Sequence, residues 1–286
     1  MKPTAEPISG SLVPRKPWKW IVLGCACACL LSACRREFPP YENGLPLTAE
    51  QRLIADQCIS VFENGEPTIQ YAYIENIHDG RGYTAGRAGF TTRTCDLLEV
   101  LRRYDVLRPG QPIAAHIPLL ESRCTNDDSS VVGLESLPAD WVAAAADSVF
   151  LAVQDAVVDE YYFQPAYAYA LELELHMPLS LLNLYDACIQ HGDGDDPDGL
   201  GAMIERTNKK SGGSPADGRD EKRWLDNFMK VRRATLRNPD DESTQEAWRE
   251  SVYRVDALRG LFDDEQYYLT SPLHLNVWET DFYLPE

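Results

Sequence analysis

Two acids stand where regular structure breaks. In "FENGEPTIQYAYIENIHDGRGYTAGRAGF", residues 62–90, Glu63 closes a helical pattern just before Asn64-Gly65, and Asp79 sits between His78 and Gly80-Arg81-Gly82. Two carboxyl groups facing one groove suit cleavage of a glycosidic bond: one protonates the leaving oxygen while the other activates water on the far side. A carboxyl at a helix C-terminal end meets the negative end of the dipole, which favours its protonated form. A turn beside a sheet lets a short aspartate reach into a groove. The sequence contains no GxSxG, HExxH, Walker or dinucleotide motif, so acid–base work by carboxylates is what remains. Five histidines argue against a histidine-built metal site, and no metal or other cofactor is expected. Tyr71, Tyr73 and Tyr83 read either as lining for a sugar or as half-buried strand packing.

The elements that must hold these acids follow from periodicity. "TAEQRLIADQCISVFENG" predicts a helix capped by Thr48 with Gln51 three residues on, as in a capping box. Ile54, Cys58, Val61 and Phe62 form its apolar stripe, and Asn64-Gly65 ends it. "TIQYAYIENI" and "YTAGRAGFTT" predict two strands around the "HDGRG" turn, hence a small antiparallel sheet. The remainder reads as mainly helical: "TCDLLEVLRRYDVL", "DWVAAAADSVFLAVQDAVVDEYY", "PAYAYALELEL", "PLSLLNLYDACIQHG", and three later segments ending in "STQEAWRESVYRVDALRGLF". "PLSLLNLYDACIQHG" is apolar most of the way round, which predicts a central helix. The acidic loop "HGDGDDPDGLG" supplies no register of an EF-hand, so it reads as an ordinary loop.

The first 33 residues read as an export signal, with a basic "PRKPWKW" followed by the short apolar run "IVLGCACACLL". Leu31-Ser32-Ala33-Cys34 resembles a bacterial lipobox. That resemblance implies cleavage before Cys34, lipid on this cysteine, a tether over residues 34–47 and a catalytic domain over 48–286. The expected location is the bacterial cell envelope, outer membrane or cell surface, with plain secretion as the alternative; the only membrane contact expected is through the lipid. Cys58, Cys95, Cys124 and Cys188 remain, which allows two disulfides in any of three connectivities, or a buried thiol at Cys188. The chain carries 27 Lys and Arg against 45 Asp and Glu, a net of −18, and losing the basic leader deepens it. Such a surface excludes nucleic acid as a partner and attracts polycations.

The blocks "FENG", "YAYIENIHDGRGYTAGRAGF" and "CDLLEV", followed by "AVQDAVVDEYYFQPA", "YDACIQHG", "DEKRWLDNFMKVRR" and "YRVDAL", resemble family 46 chitosanases of the lysozyme-like superfamily over about residues 48–262. The resemblance implies a two-lobed, mainly α (α+β) fold with its small sheet beside the active-site cleft. It implies endo-hydrolysis of β-1,4 bonds in chitosan with inversion, by a monomer whose partners are glucosamine polymers. Glu63 would be the general acid, Asp79 the general base and Thr84 a holder of the attacking water. Asp96 and Glu75 would contact substrate amines, and Arg81, in the same substrate-side group, would support the base loop. Asp186, Arg232 and Arg254 would form a buried network beneath the acid. Two positions depart from the family pattern: His78 stands where a glycine is expected, and Cys95 replaces a small residue before Asp96. Two other readings fit less well. A peptidoglycan-cleaving relative needs no water-activating Asp79 and would meet an anionic wall, and a non-catalytic lipoprotein binding amino-sugar polymers would leave the acids idle.

Overall fold

A computed structural model describes residues 47–78, 80–194, 196–240 and 245–286. The signal at 1–33, the lipidation site Cys34, nearly all of the tether and Asp79 lie outside the described residues. Helix α1 (Ala49–Asn64) forms as its sequence dictates. Thr48 Oγ1 accepts the Gln51 N–H at 3.1 Å, and Gln51 Oε1 accepts the Thr48 N–H at 2.9 Å, so the capping box is complete. Ile54, Cys58, Val61 and Phe62 are all buried. Gly65, at φ 75°, ends the helix in the left-handed conformation and donates to the Val61 carbonyl.

The predicted sheet is present but smaller than its sequence suggests. β1 (Ile74–Glu75), β2 (Thr84–Ala85) and β3 (Phe90–Thr91) run antiparallel in that order, with Glu75 opposite Thr84 and Thr84 opposite Thr91. The run 83–92 therefore folds back on itself instead of forming one strand, because Gly86 and Gly89 both take positive φ between β2 and β3.

Helices α2 (Asp96–Leu107), α3 (Ile117–Thr125), α4 (Leu137–Ala144) and α5 (Ser148–Val158) follow the sheet. The segment predicted as one helix from 140 onward breaks at 145–147, where Asp147 caps α5 by accepting the Val149 N–H at 2.9 Å and holds the Tyr104 hydroxyl at 3.0 Å. A π-turn at Asp159–Phe163 joins α5 to α6 (Gln164–Glu172). α7 (Pro178–His191) is buried on nearly every face, as its apolar sequence requires, and packs against α6, α8 (Leu200–Ser211), α9 (Glu221–Arg237) and α11 (Val252–Asp263). The short α10 (Gln245–Glu250) lies on α9 and α11. The chain closes with a hairpin, β4 (Leu273–Val277) and β5 (Thr280–Leu284), in a stretch that has no helical periodicity. The molecule is thus mainly helical with a small antiparallel sheet.

Of the two possible disulfides, one forms: Cys95 bonds to Cys124, tying the start of α2 to the end of α3. Cys58 and Cys188 are both fully buried. Burial, reinforced by the charges of Asp186 and Asp56, pushes the Cys58 thiol well up, so it stays protonated and inert. α1 is further fixed by a polar cluster. Arg87 pairs with Asp56 at 3.0 Å and with Asp155, while Arg52 pairs with Asp56 at 3.1 Å and Asp159 at 2.8 Å.

Candidate active site

Glu63 occupies the last turn of α1, and its side chain is 14% exposed. Arg254 of α11 donates to Glu63 Oε1 from Nη1 at 2.5 Å and, through Nε and Nη2, to Asp186 Oδ1 of α7. On the other side Arg232 of α9 reaches Asp186 Oδ2 at 2.5 Å. Asp186 and Arg232 have no exposed side-chain surface. Two carboxyl groups and two guanidinium groups therefore alternate from the core to the rim, and Arg254 fixes the direction in which Glu63 points. Burial alone would raise the Asp186 carboxyl, but Arg232 and Arg254 together hold it below the ordinary aspartate range.

Three further residues complete this cluster, and the sequence reading did not single them out. Gln190 accepts from Arg232 Nη2 at 2.5 Å, and His191 Nε2 accepts from Arg232 Nε at 3.4 Å. Burial, with Arg232 and Arg254 nearby, pushes His191 far below its usual value, so its ring is neutral and can accept. Tyr253 donates its hydroxyl to the Phe62 carbonyl at 2.5 Å, satisfying an acceptor that the helix end would otherwise leave open. Burial, with Arg254 opposing and Glu63 adding to it, moves the Tyr253 hydroxyl up to about 12, so it remains a donor. Its position directly before Arg254 was the available signal.

The sheet gathers the second group. Thr84 is fully buried in β2, between Glu75 and Thr91, and its Oγ1 has no hydrogen-bond partner among the described residues. Glu75 is exposed on β1, within 3.2 Å of the Tyr73 hydroxyl. Asp96 opens α2 only 4% exposed; its Oδ1 accepts from Thr91 N at 2.7 Å, Thr94 Oγ1 at 2.6 Å and Leu97 N at 3.0 Å. Asp96 is therefore first the anchor of the β3–α2 junction. Arg81 is 6% exposed, and its carbonyl accepts from Thr92 Oγ1 and the Arg93 N–H. The structure thus joins Glu63, Asp186, Arg232 and Arg254 in one network, and sets Glu75, Thr84, Asp96 and Arg81 around the sheet.

Two described residues of the β1–β2 connection, His78 and Gly82, are conformationally constrained. His78 takes φ 56°, confirming that a left-handed residue is needed where the family resemblance expects glycine, and its N–H bonds to Asn76 Oδ1 at 3.0 Å. Gly82, at φ 77°, admits no side chain: a Cβ there would stand 2.1 Å from Thr92 Oγ1 and 2.9 Å from the Ser129 carbonyl. The left-handed backbone and the clash together predict that Gly82→Ala destabilises the chain by about 2–4 kcal/mol. Denaturant unfolding of the variant beside the parent measures it, and an unchanged midpoint would show that the loop yields freely.

Fold and site define a class first: a mainly helical protein that fixes an acidic side chain at a helix end beside a small sheet. The comparisons with known proteins narrow it. The sequence model of Glycosyl hydrolase family 46 matches residues 57–273. A Bacillus subtilis (strain 168) chitosanase is 45% identical over 229 residues, covering 80% of this chain and 83% of the relative. A Gynuella sunshinyii GH46 chitosanase solved with chitotetraose is 51% identical with a TM-score of 0.77, covering 84% of this chain and 99% of that one. A mutant chitosanase from Bacillus subtilis MY002, solved with 6 GlcN, is 43% identical with a TM-score of 0.77, covering 84% and 100%. The chain belongs to glycosyl hydrolase family 46 and is a glycoside hydrolase.

Proposed function

We propose that this chain hydrolyses internal β-1,4 bonds of chitosan by an inverting, single-displacement mechanism. Glu63 donates a proton to the leaving oxygen while Asp79 takes one from a water that attacks the anomeric carbon from the opposite face. The observation that carries this reading is the Arg254 bridge, which orients Glu63 from one side and is anchored on buried Asp186 from the other. The Thr84 hydroxyl, buried without a partner among the described residues, supports a role in holding that water, since a buried hydroxyl calls for a partner. Arg81 steadies the base loop from within, and Glu75 offers an exposed carboxylate to substrate ammonium groups. Asp96, held at the β3–α2 junction, supplies a second carboxylate for those ammonium groups. The three chitosanase relatives, two of them solved with oligosaccharides, support chitosan as substrate.

Chitosan is a polycation below the pKa of its amines, and a chain of net −18 draws it in. New reducing ends should appear from chitosan and not from cell-wall glycan, and the rate on chitosan should fall as salt is raised and steering is screened. Products from cell-wall glycan alone would assign the site to the peptidoglycan-cleaving reading, and binding without products to the non-catalytic one. A salt-independent rate would remove the charge argument and leave the acid–base one standing.

The proposal extends to location: export, cleavage before Cys34 and attachment of lipid there to a monomeric enzyme. Detergent phase partitioning should place the parent in the detergent phase and Cys34→Ala in the aqueous phase. The same partitioning for both would rule out the anchor.

A further inference from the structure

The closing hairpin turns in an unexpected way. Val277 pairs with Thr280, so Trp278-Glu279 alone makes the loop, and both residues have positive φ, 50° and 64°. Two-residue hairpin loops with two left-handed residues are the natural place for Asn-Gly or Gly-Gly. A tryptophan and a glutamate there carry a steric penalty that those residues avoid. Strain of this kind persists where the placement of a side chain matters.

What the turn places is specific. The Trp278 ring packs against Tyr253 at a tilt of 44°, with centroids 4.1 Å apart, yet the residue remains 46% exposed. Tyr253 in turn bonds through its hydroxyl to the Phe62 carbonyl, one residue before Glu63, and feels the charge of Glu63. An open indole thus stands two contacts from the acid-bearing helix turn. Glu279, next in the turn, is an exposed carboxylate.

We propose that Trp278 and Glu279 form a sugar-binding platform beside Glu63 for one residue of an amino-sugar polymer, the indole against the sugar ring and the carboxylate on its ammonium. The pairing matches the ligand: a protonated glucosamine unit presents a face of C–H bonds and a positive charge, which an aromatic ring and an acid recognise together. Tyr253 backs the platform and couples it to α1. The inference rests on the chitosan reading of the active site.

Its test is binding of chitohexaose in the Glu63→Gln background, where turnover is suppressed, followed by tryptophan fluorescence, with kcat and KM measured in the otherwise native chain. Trp278→Ala should weaken binding and raise KM about ten-fold, equivalent to ~1.4 kcal/mol, with kcat within about three-fold. Trp278→Phe keeps a ring on Tyr253 and should show a smaller KM effect with unchanged thermal stability. Glu279→Gln should weaken chitohexaose binding and leave binding of the uncharged N-acetylated hexamer unaltered. The platform is overturned if Trp278→Ala lowers Tm and kcat with KM unchanged, the behaviour of a packing prop for Tyr253, or if no variant moves KM. A parent chain that neither binds nor cleaves chitosan would instead remove the underlying substrate assignment, so the two failures are distinguishable.

Discussion

Replacing Glu63 by glutamine is expected to lower kcat on chitosan by at least ~10²-fold, the scale on which one general acid contributes. Glutamine keeps the length of the side chain and an oxygen for Arg254, so the network and the fold should survive while the proton is lost. Asp79→Asn should fall by a similar factor for a different reason, because water is then not activated. The two roles separate with a chito-oligosaccharide glycoside whose aryl leaving group departs without protonation. Such a substrate should restore much of the rate to Glu63→Gln and none to Asp79→Asn. Near-parental activity of either variant on chitosan would remove that residue from the mechanism.

The largest effect on stability is expected at Asp186. Arg232 and Arg254 both face this one buried carboxylate, and Glu63 balances only the outer of the two. Asp186→Asn leaves a buried positive charge uncompensated, which should cost about 3–5 kcal/mol and shift the denaturant midpoint accordingly. Arg254 would also lose its anchor, so kcat should fall along with stability. The pH dependence identifies the source. The folded Asp186 carboxyl titrates below its unfolded value, so its contribution is complete above about pH 4 and disappears as pH falls through the lower folded value. His191, held neutral in the fold, is linked in the same direction at a higher pH: the unfolded chain takes its proton first, so stability declines as pH drops below ~6.5. The limb between about 6.5 and 4 should persist in Asp186→Asn while the limb below it becomes shallower, keeping only the share of the other lowered carboxylates such as Asp226. An unchanged acid limb would show that Asp186 is not where the charge is stored.

Local rules made much of this legible. The cap at Thr48, the stripe through Phe62 and the stop at Gly65 place Glu63 at a helix end before any coordinates, because each signal acts within a few residues. α7 was legible as central for the same reason: its sequence is apolar most of the way round. What escaped depends on distance in sequence or on competing patterns. The break between α4 and α5 comes from Asp147, whose cap competes with an otherwise continuous alanine-rich run. The hairpin at 273–284 had a usable signal in Leu273, Leu275 and Val277, which alternate with exposed His274 and Asn276, but its turn residues are not turn formers. The Cys95–Cys124 pairing was one of several that spacing allowed. The roles of Gln190, His191 and Tyr253 arise only when α1, α7, α9 and α11 meet. Family resemblance supplied Asp186, Arg232 and Arg254 as a network, and the coordinates show which oxygen each guanidinium takes.

The central claim is a single displacement at the anomeric carbon, with the proton donated from Glu63 and water attacking from the opposite face. Proton NMR of chitohexaose during the first turnovers, before mutarotation mixes the anomers, tests it most directly. The account predicts that the new reducing ends appear first as the α-anomer. Initial release of the β-anomer would contradict it, because retention requires a glycosyl-enzyme intermediate and a carboxylate acting as nucleophile instead of a water between two acids.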